Sequence, residues 1–158
     1  EVGRVGASGA GKVLQSITET DGELFSTTAT ITLDDTIPQI TEGAEFISAS
    51  ITPRSATSKI KIRVSLQIAS SSASYCYAMV FRDSQADAIV MSWNTPAGAD
   101  YTSNQIIELE VDSVSTALTT FSVRVAVNSG TTYVNGNQTV RRFGGALASS
   151  ITVTEIGA

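Results

Sequence analysis

The sequence predicts an all-β protein, an antiparallel β-sandwich of jelly-roll type, on three observations. Apolar residues recur at every second position over long stretches, which sends successive side chains to opposite faces of an extended strand. Ser and Thr make up about a quarter of the 158 residues, beside abundant Val and Ile, and β-branched side chains lose rotamer freedom in a helix but pack well on a pleated surface. Turn-forming Gly, Asn and Asp punctuate the apolar runs at fairly regular spacing, and no stretch carries the 3.6-residue period of a helix.

The elements follow in order. Residues 1–12, with Gly3, Gly6, Gly9 and Gly11 among small neighbours, have no period and little to bury, so they read as a flexible lead-in or the end of a stalk. Because the chain opens on Glu1 rather than Met, it is expected to be a piece of a longer protein or a processed chain. Residues 13–158 read as one sandwich domain, long enough to bury its own core. Short alternations at Ala29-Ile31-Leu33 and Ile47-Ala49-Ile51 predict two strands. Ile60, Ile62, Val64, Leu66 and Ile68 alternate with Lys61, Arg63, Ser65 and Gln67, predicting a long strand with one face on a core and one in water. In the segment from Tyr75 to Phe81 both faces are apolar, Tyr75, Tyr77, Met79 and Phe81 on one and Cys76, Ala78 and Val80 on the other. Such a strand is covered on both sides, either inside the domain or by a neighbouring subunit. Tyr75, Tyr77, Met79 and Phe81 are therefore candidate oligomer-interface residues. Ile107-Leu109-Val111, Phe121-Val123-Val125-Val127 and Ile151-Val153 complete nine or ten strands. Asn128-Ser129-Gly130 and Asn135-Gly136 read as turns, the second as a hairpin of type I′, which would make residues 119–141 a three-strand meander.

Composition removes several functions. Ten Lys and Arg against fifteen Asp and Glu, net charge −5, argue against nucleic acid as a partner, since that affinity rests on basic side chains displacing counterions. No apolar run approaches the roughly 18 residues of a spanning helix, and the N-terminus lacks a signal-peptide pattern, so no membrane insertion is expected. Cys76, the one cysteine, cannot close an internal disulfide and reads as a small buried hydrophobe. Gly6-Ala7-Ser8-Gly9-Ala10-Gly11-Lys12 matches most of a phosphate-binding loop, but Val13 stands where Ser or Thr must hold magnesium and no helix is signalled after it. The absence of histidine removes triad nucleophiles and the commonest general base. Glu108 and Glu110, like Asp34-Asp35, read as solvated carboxylates rather than a glycosidase pair. Asp83 and Asp87 lack a ladder of calcium ligands around them. No enzyme activity, cofactor or metal is expected. Asn137-Gln138-Thr139 is a formal glycosylation sequon.

Trp93, the one tryptophan, opens an irregular stretch that also holds Asn94, Thr95, Pro96, Gly98, Tyr101 and Asn104. Two readings stay open: a tryptophan plugging the end of the sandwich, or an aromatic platform for a sugar or peptide with polar donors beside it. On the second, Trp93 and Tyr101 stack on a ring while Asn94 and Asn104 fix its hydroxyls. Asn135 and Asn137, on the expected hairpin tip, form a second candidate receptor-binding group whose plain alternative is turn chemistry.

Four segments carry a resemblance to a known family. Gly11-Lys12-Val13-Leu14-Gln15 resembles the passage from a Gly-rich stalk into a first strand in phage tail-fibre and tail-associated C-terminal domains. Ser50-Ile51-Thr52-Pro53-Arg54-Ser55-Ala56-Thr57-Ser58-Lys59-Ile60 is similar to that family's strand, Thr-Pro turn and Ser-Lys-Ile restart. Thr131 to Asn135 and the close Ile151 to Ala158 are similar to its last strands and its terminal Glu-Ile pair. The resemblance implies a virion-surface structural protein, a homotrimeric knob on a fibre or tail that partners other virion proteins and binds a host-surface glycan or protein. Alternatives of other classes are a capsid-decorating or cement protein and a polysaccharide depolymerase module.

Overall fold

The computed structural model describes residues 11–158. Its strands are β1 (Val13–Asp21), β2 (Phe25–Thr27), β3 (Ala44–Ile51), β4 (Lys59–Ser70), β5 (Cys76–Arg82), β6 (Val90–Asn94), β7 (Ser103–Asp112), β8 (Thr119–Val127), β9 (Thr132–Val134), β10 (Gly136–Asn137), β11 (Val140–Arg141) and β12 (Ser149–Ile156), with one 3-10 turn, Phe143–Gly145, as the only helical element among the described residues. One sheet runs β1-β12-β4-β7 and the other β3-β8-β5-β6, with antiparallel neighbours throughout. Among these eight strands the chain changes sheet at every step except the β5–β6 hairpin. That order is a jelly roll. Where β12 leaves the edge of β4 after Ser65, β9 pairs with Ile68, Ala69 and Ser70 and brings β2 with it.

The alternation in the sequence explains the core. Ile60, Ile62, Val64, Leu66 and Ile68 of β4 are buried against Cys76, Ala78 and Val80 of β5 and Phe121, Val123 and Val125 of β8, while Lys61 and Arg63 face water. Cys76 is fully buried, as its setting predicts, and burial pushes its thiol up from the ordinary value.

The second sheet departs from expectation on its outer face. Ala29-Ile31-Leu33 forms no strand: only Thr30 bridges, to Val127, and residues 28–43 cross the face of β8 and β5 as a strap. Ile31 and Ile40 pack with Tyr77, Met79, Phe81 and Ala126, and the strap ties to the β5–β6 turn through Ile40 N–H to Ala86 O at 2.7 Å and Ala88 N–H to Pro38 O at 2.9 Å. Tyr77, Met79 and Phe81 are thus fully buried within one chain. This corrects their assignment to an oligomer interface: a segment distant in sequence supplies the second cover that the two-sided pattern requires. Gly43 closes the strap at φ +66, where an added Cβ would stand 2.9 Å from Val125 O and 2.8 Å from Met79 Cε. Gly43→Ala is expected to cost roughly 2 kcal/mol from left-handed strain and the backbone clash, read as a lower urea midpoint at unchanged slope.

Three of the segments quoted for the family resemblance, 11–15, 50–60 and 151–158, meet at one side chain. Glu155, on β12, is fully buried. Its carboxylate accepts from Gln15 Nε2 (2.7 Å), Arg54 N–H (2.8 Å), Ser55 N–H (3.2 Å) and Ser58 Oγ (2.7 Å), pinning the 52–58 turn to β1 and β12. Burial opposes its ionisation, but the bonds from Ser58, Gln15, Arg54 and Ser55 outweigh that and hold the carboxyl below the usual glutamate range.

Three further expectations change. The 119–141 meander is not formed, because β8 and β9 belong to different sheets and residues 128–131 cross between them. The type I′ turn falls on Gln138-Thr139, both at positive φ (48° and 61°), between the paired Asn137 and Val140. Asn135 does take the left-handed conformation (φ 63°), but its amide is spent inside the fold. Of the lead-in, residues 1–10 lie outside the described residues, as does most of the phosphate-loop match. Gly11 and Lys12 extend the β1–β12 ladder, with Gly11 N–H to Gly157 O and Gly157 N–H to Lys12 O, both 2.8 Å.

The strand directions give the sandwich two distinct ends. The start of β1 and the finish of β12 lie together with the turns 52–58, 83–89 and 113–118; connections 71–75, 95–102 and 128–148 lie at the far end, and 22–43 starts there and runs along the second sheet to the 83–89 turn.

Candidate functional site

β5 and β6 pair with Tyr77 opposite Trp93 and Met79 opposite Met91. In antiparallel strands directly opposed residues share a face, so Tyr77, Met91 and Trp93 all point out of the second sheet near its far end. Tyr75, two residues before Tyr77, joins them. The Trp93 ring lies 4.6 Å from that of Tyr75 at 47° and 6.4 Å from that of Tyr77 at 5°, close to parallel. Offset aromatic pairs at these separations add to area burial and hold the indole in one orientation. Even so, Trp93 is 51% exposed. The core-plug reading is therefore corrected, because an indole facing outward from an edge strand fills no space between the sheets.

The strap passes beside this cluster and makes a pocket. It is lined by Tyr77, Met91 and Trp93 from the sheet and by Ile31, Thr32, Leu33, Asp34, Thr36 and Pro38 from the strap, and encloses about 300 Å³. Its floor is aromatic and apolar, and its strap side carries two hydroxyls and one carboxylate. Asp34 accepts from the Thr36 hydroxyl (2.6 Å) and amide (2.9 Å), which hold its carboxyl below the ordinary value. Tyr77 Oη is buried with no hydrogen-bond partner, and burial is the main cause of its raised pKa, with the charges of Tyr75 and Cys76 behind it.

The other candidate residues are not brought together. Asn94 alternates with Trp93, points the opposite way and donates to Ser103 Oγ at 2.9 Å. Asn104 lies opposite Gln67 on the other sheet, where its Oδ1 accepts from Ser65 Oγ at 3.4 Å. Tyr101 is 64% exposed at the far end, in the 95–102 loop, outside the pocket. Asn135 is fully buried; it donates to Asp21 O (2.8 Å) and Glu23 O (3.0 Å) and accepts from Ser149 Oγ (2.6 Å), so it is a structural bracket and not a receptor contact. Asn137 donates to Asp100 O (2.8 Å) and accepts from Arg142 Nε (2.6 Å), joining two far-end connections. Glu108 pairs with Arg63 at 2.9 Å on the solvated face of the first sheet, Asp83 accepts from Thr120 N–H at 2.7 Å as a turn residue, and no group of three potential metal ligands occurs among the described residues.

Sequence reasoning found Trp93 and missed Met91 and the strap. The alternation Met91-Ser92-Trp93 beside Tyr75-Cys76-Tyr77 is a legible signal for a shared face once β5 and β6 are known to pair. Nothing local marks residues 31–38 as their neighbours.

No protein-family model and no curated protein matches the sequence. Among solved structures, the chain is similar to the infectious bursal disease virus VP2 subviral particle at 14% identity and TM-score 0.42, over 92% of this chain and 39% of that one. It is also similar to the structure of the infectious bursal disease virus Gx strain at 15% identity and TM-score 0.40, over 94% and 38%. The chain spans about two-fifths of the length of these structures.

Proposed function

We propose that this chain is a virion structural domain, non-enzymatic and exposed on the particle, that presents its far end to a host-surface receptor as a phage fibre or tail-tip knob does. The observation that carries the reading is polarity. Both described termini lie at one end of the sandwich, so chain joined to either enters there, while the aromatic pocket, Tyr101 and the long connections sit toward the other. A stiff sandwich with loops gathered at a free end is how recognition residues are commonly displayed. The sequence resemblance supplies the virion setting, and jelly rolls recur in viral coat proteins and lectins.

The test is adsorption of the fluorescently labelled domain to a panel of bacterial strains, with virions as competitor. Saturable binding to a subset of strains, displaced by virions, is the expected result. Binding to no strain, together with antibody labelling confined to the capsid shell, would replace this reading with the cement-protein one. Trimerisation also belongs to the proposal, with the interface outside Tyr77, Met79 and Phe81. Sedimentation equilibrium of residues 1–158 is expected to give three times the monomer mass, and a monomer at micromolar concentration overturns it.

A further inference from the structure

We propose that the pocket between the strap and β5–β6 is a binding site for a single uncharged pyranose ring, with the sugar's apolar face on Trp93 and one of its hydroxyls on Tyr77 Oη. The inference rests on the receptor reading and names the chemistry of its ligand.

Four features of the pocket converge on that class. Its volume, about 300 Å³, lies at the low end of small-molecule sites, which suits one ring rather than a polymer laid in a cleft. The exposed part of the Trp93 indole is held against Tyr75 and Tyr77, so stacking a ring on it costs little ordering. Tyr77 Oη is a buried hydroxyl without a partner, and native proteins rarely leave such a group unsatisfied. A ligand hydroxyl both donates and accepts, as the phenol does, and supplies what the protein does not. On the strap side Thr32, Asp34 and Thr36 place two hydroxyls and a carboxylate around the mouth, a set that matches a polyol and not a hydrocarbon.

The charge of the lining narrows the class. Asp34 is its one carboxylic acid and it contains no Lys or Arg, while the whole chain carries net charge −5. Anionic sugars such as sialic or uronic acids therefore meet an ionised carboxylate with no cation to offset it. For a ligand to reach Tyr77 Oη the strap has to yield, and its bonding permits this. Among the described residues, the hydrogen bonds of residues 32–37 are local: Asp34 N–H to Thr32 O, Thr36 to Asp34 and Gln39 Nε2 to Ile37 O. The bonds that fix the strap to the sheet and to the β5–β6 turn lie outside that stretch, at Ala29, Pro38, Gln39, Ile40, Glu42 and Gly43.

Trp93 is the chain's one tryptophan, so its fluorescence reports the site directly. Residues 1–158 are titrated with the methyl glycosides of glucose, galactose, mannose and N-acetylglucosamine, and with N-acetylneuraminic and glucuronic acids, alongside ligand-observed saturation-transfer NMR. At least one neutral glycoside is expected to shift the emission saturably, and both acids to bind at least tenfold more weakly. Tyr77→Phe is expected to weaken the neutral glycoside about tenfold while melting no lower than wild type, since it removes an unpaired buried hydroxyl. Trp93→Ala is expected to abolish the NMR signal, and should it fail to fold, Trp93→Phe is expected to weaken binding several-fold. No response to any neutral glycoside, equal or tighter binding of the acids, or wild-type affinity in Tyr77→Phe overturns the inference. Adsorption to cells separates the two readings: cells bound without glycoside binding sinks only the sugar site, and glycoside binding without cell adsorption sinks only the receptor role.

Discussion

Glu155→Ala is expected to lower the unfolding free energy by about 3 to 5 kcal/mol. The substitution removes an acceptor and leaves four donors, Gln15 Nε2, Arg54 N–H, Ser55 N–H and Ser58 Oγ, around a position with no water access. Hydrogen bonds to an ionised group are worth roughly 1.5 to 3 kcal/mol each, and abandoned buried donors cost about 1 to 3 kcal/mol. The four share one carboxylate and three are only partly buried, so the sum stays below the simple total. For a chain of this length each kcal/mol moves Tm by roughly 2 to 4 °C, and a fall of about 10 °C in calorimetry is the expected readout. Glu155→Gln keeps the shape but turns an amide donor toward other donors, and is expected to recover less than half of the loss. The pH dependence carries a sign. The folded carboxyl is held below its unfolded value, so its stabilisation is fully present above the ordinary glutamate range and is lost as pH falls through the depressed folded value. Wild-type and Glu155→Gln Tm values are therefore expected to converge on acidification from pH 7 to pH ~3; a gap that stays constant would show that the carboxylate's charge contributes nothing.

Phe81→Ala is expected to be comparably severe, at about 3 to 5 kcal/mol, because it empties the volume of a fully buried ring beneath the strap. Its effect distinguishes cover by the chain itself from cover by a neighbouring subunit. Under the strap, Phe81 anchors Ile31 and Ile40, so truncation loosens the bonds from Ile40 N–H to Ala86 O and from Ala88 N–H to Pro38 O. Hydrogen exchange at these amides is expected to quicken beyond the change in global stability, while sedimentation leaves the oligomeric state unchanged. A variant that dissociates into smaller species with its melting temperature intact would restore the interface reading for this strand.

Other regions sort by the range over which their information acts. The faces of β4, β7 and β8 were legible because each residue's partition between core and water repeats every two positions, and a strand keeps that period whatever it pairs with. Trp93 stood out because a lone large aromatic beside amides and glycine has few plain uses. Asn135 misled for the same local reason: Asn-Gly suits a tight turn, and its left-handed backbone is indeed present, but three distant groups claim its side chain and the hairpin forms three residues later.

By itself the sequence determined the all-β class, the sandwich, the buried faces of β4, β7 and β8, the buried thiol of Cys76 and the need for a second cover over Tyr77, Met79 and Phe81. Those follow from side-chain polarity and φ/ψ preference, which act on neighbouring residues. Only the tertiary structure decided what supplies that cover, which donors Glu155 gathers, and that Met91 and Trp93 share a pocket with Asp34 and Thr36. These depend on sheet order and on where a 16-residue strap without period (residues 28–43) comes to lie, and contacts between residues tens of positions apart leave no periodic trace in either partner.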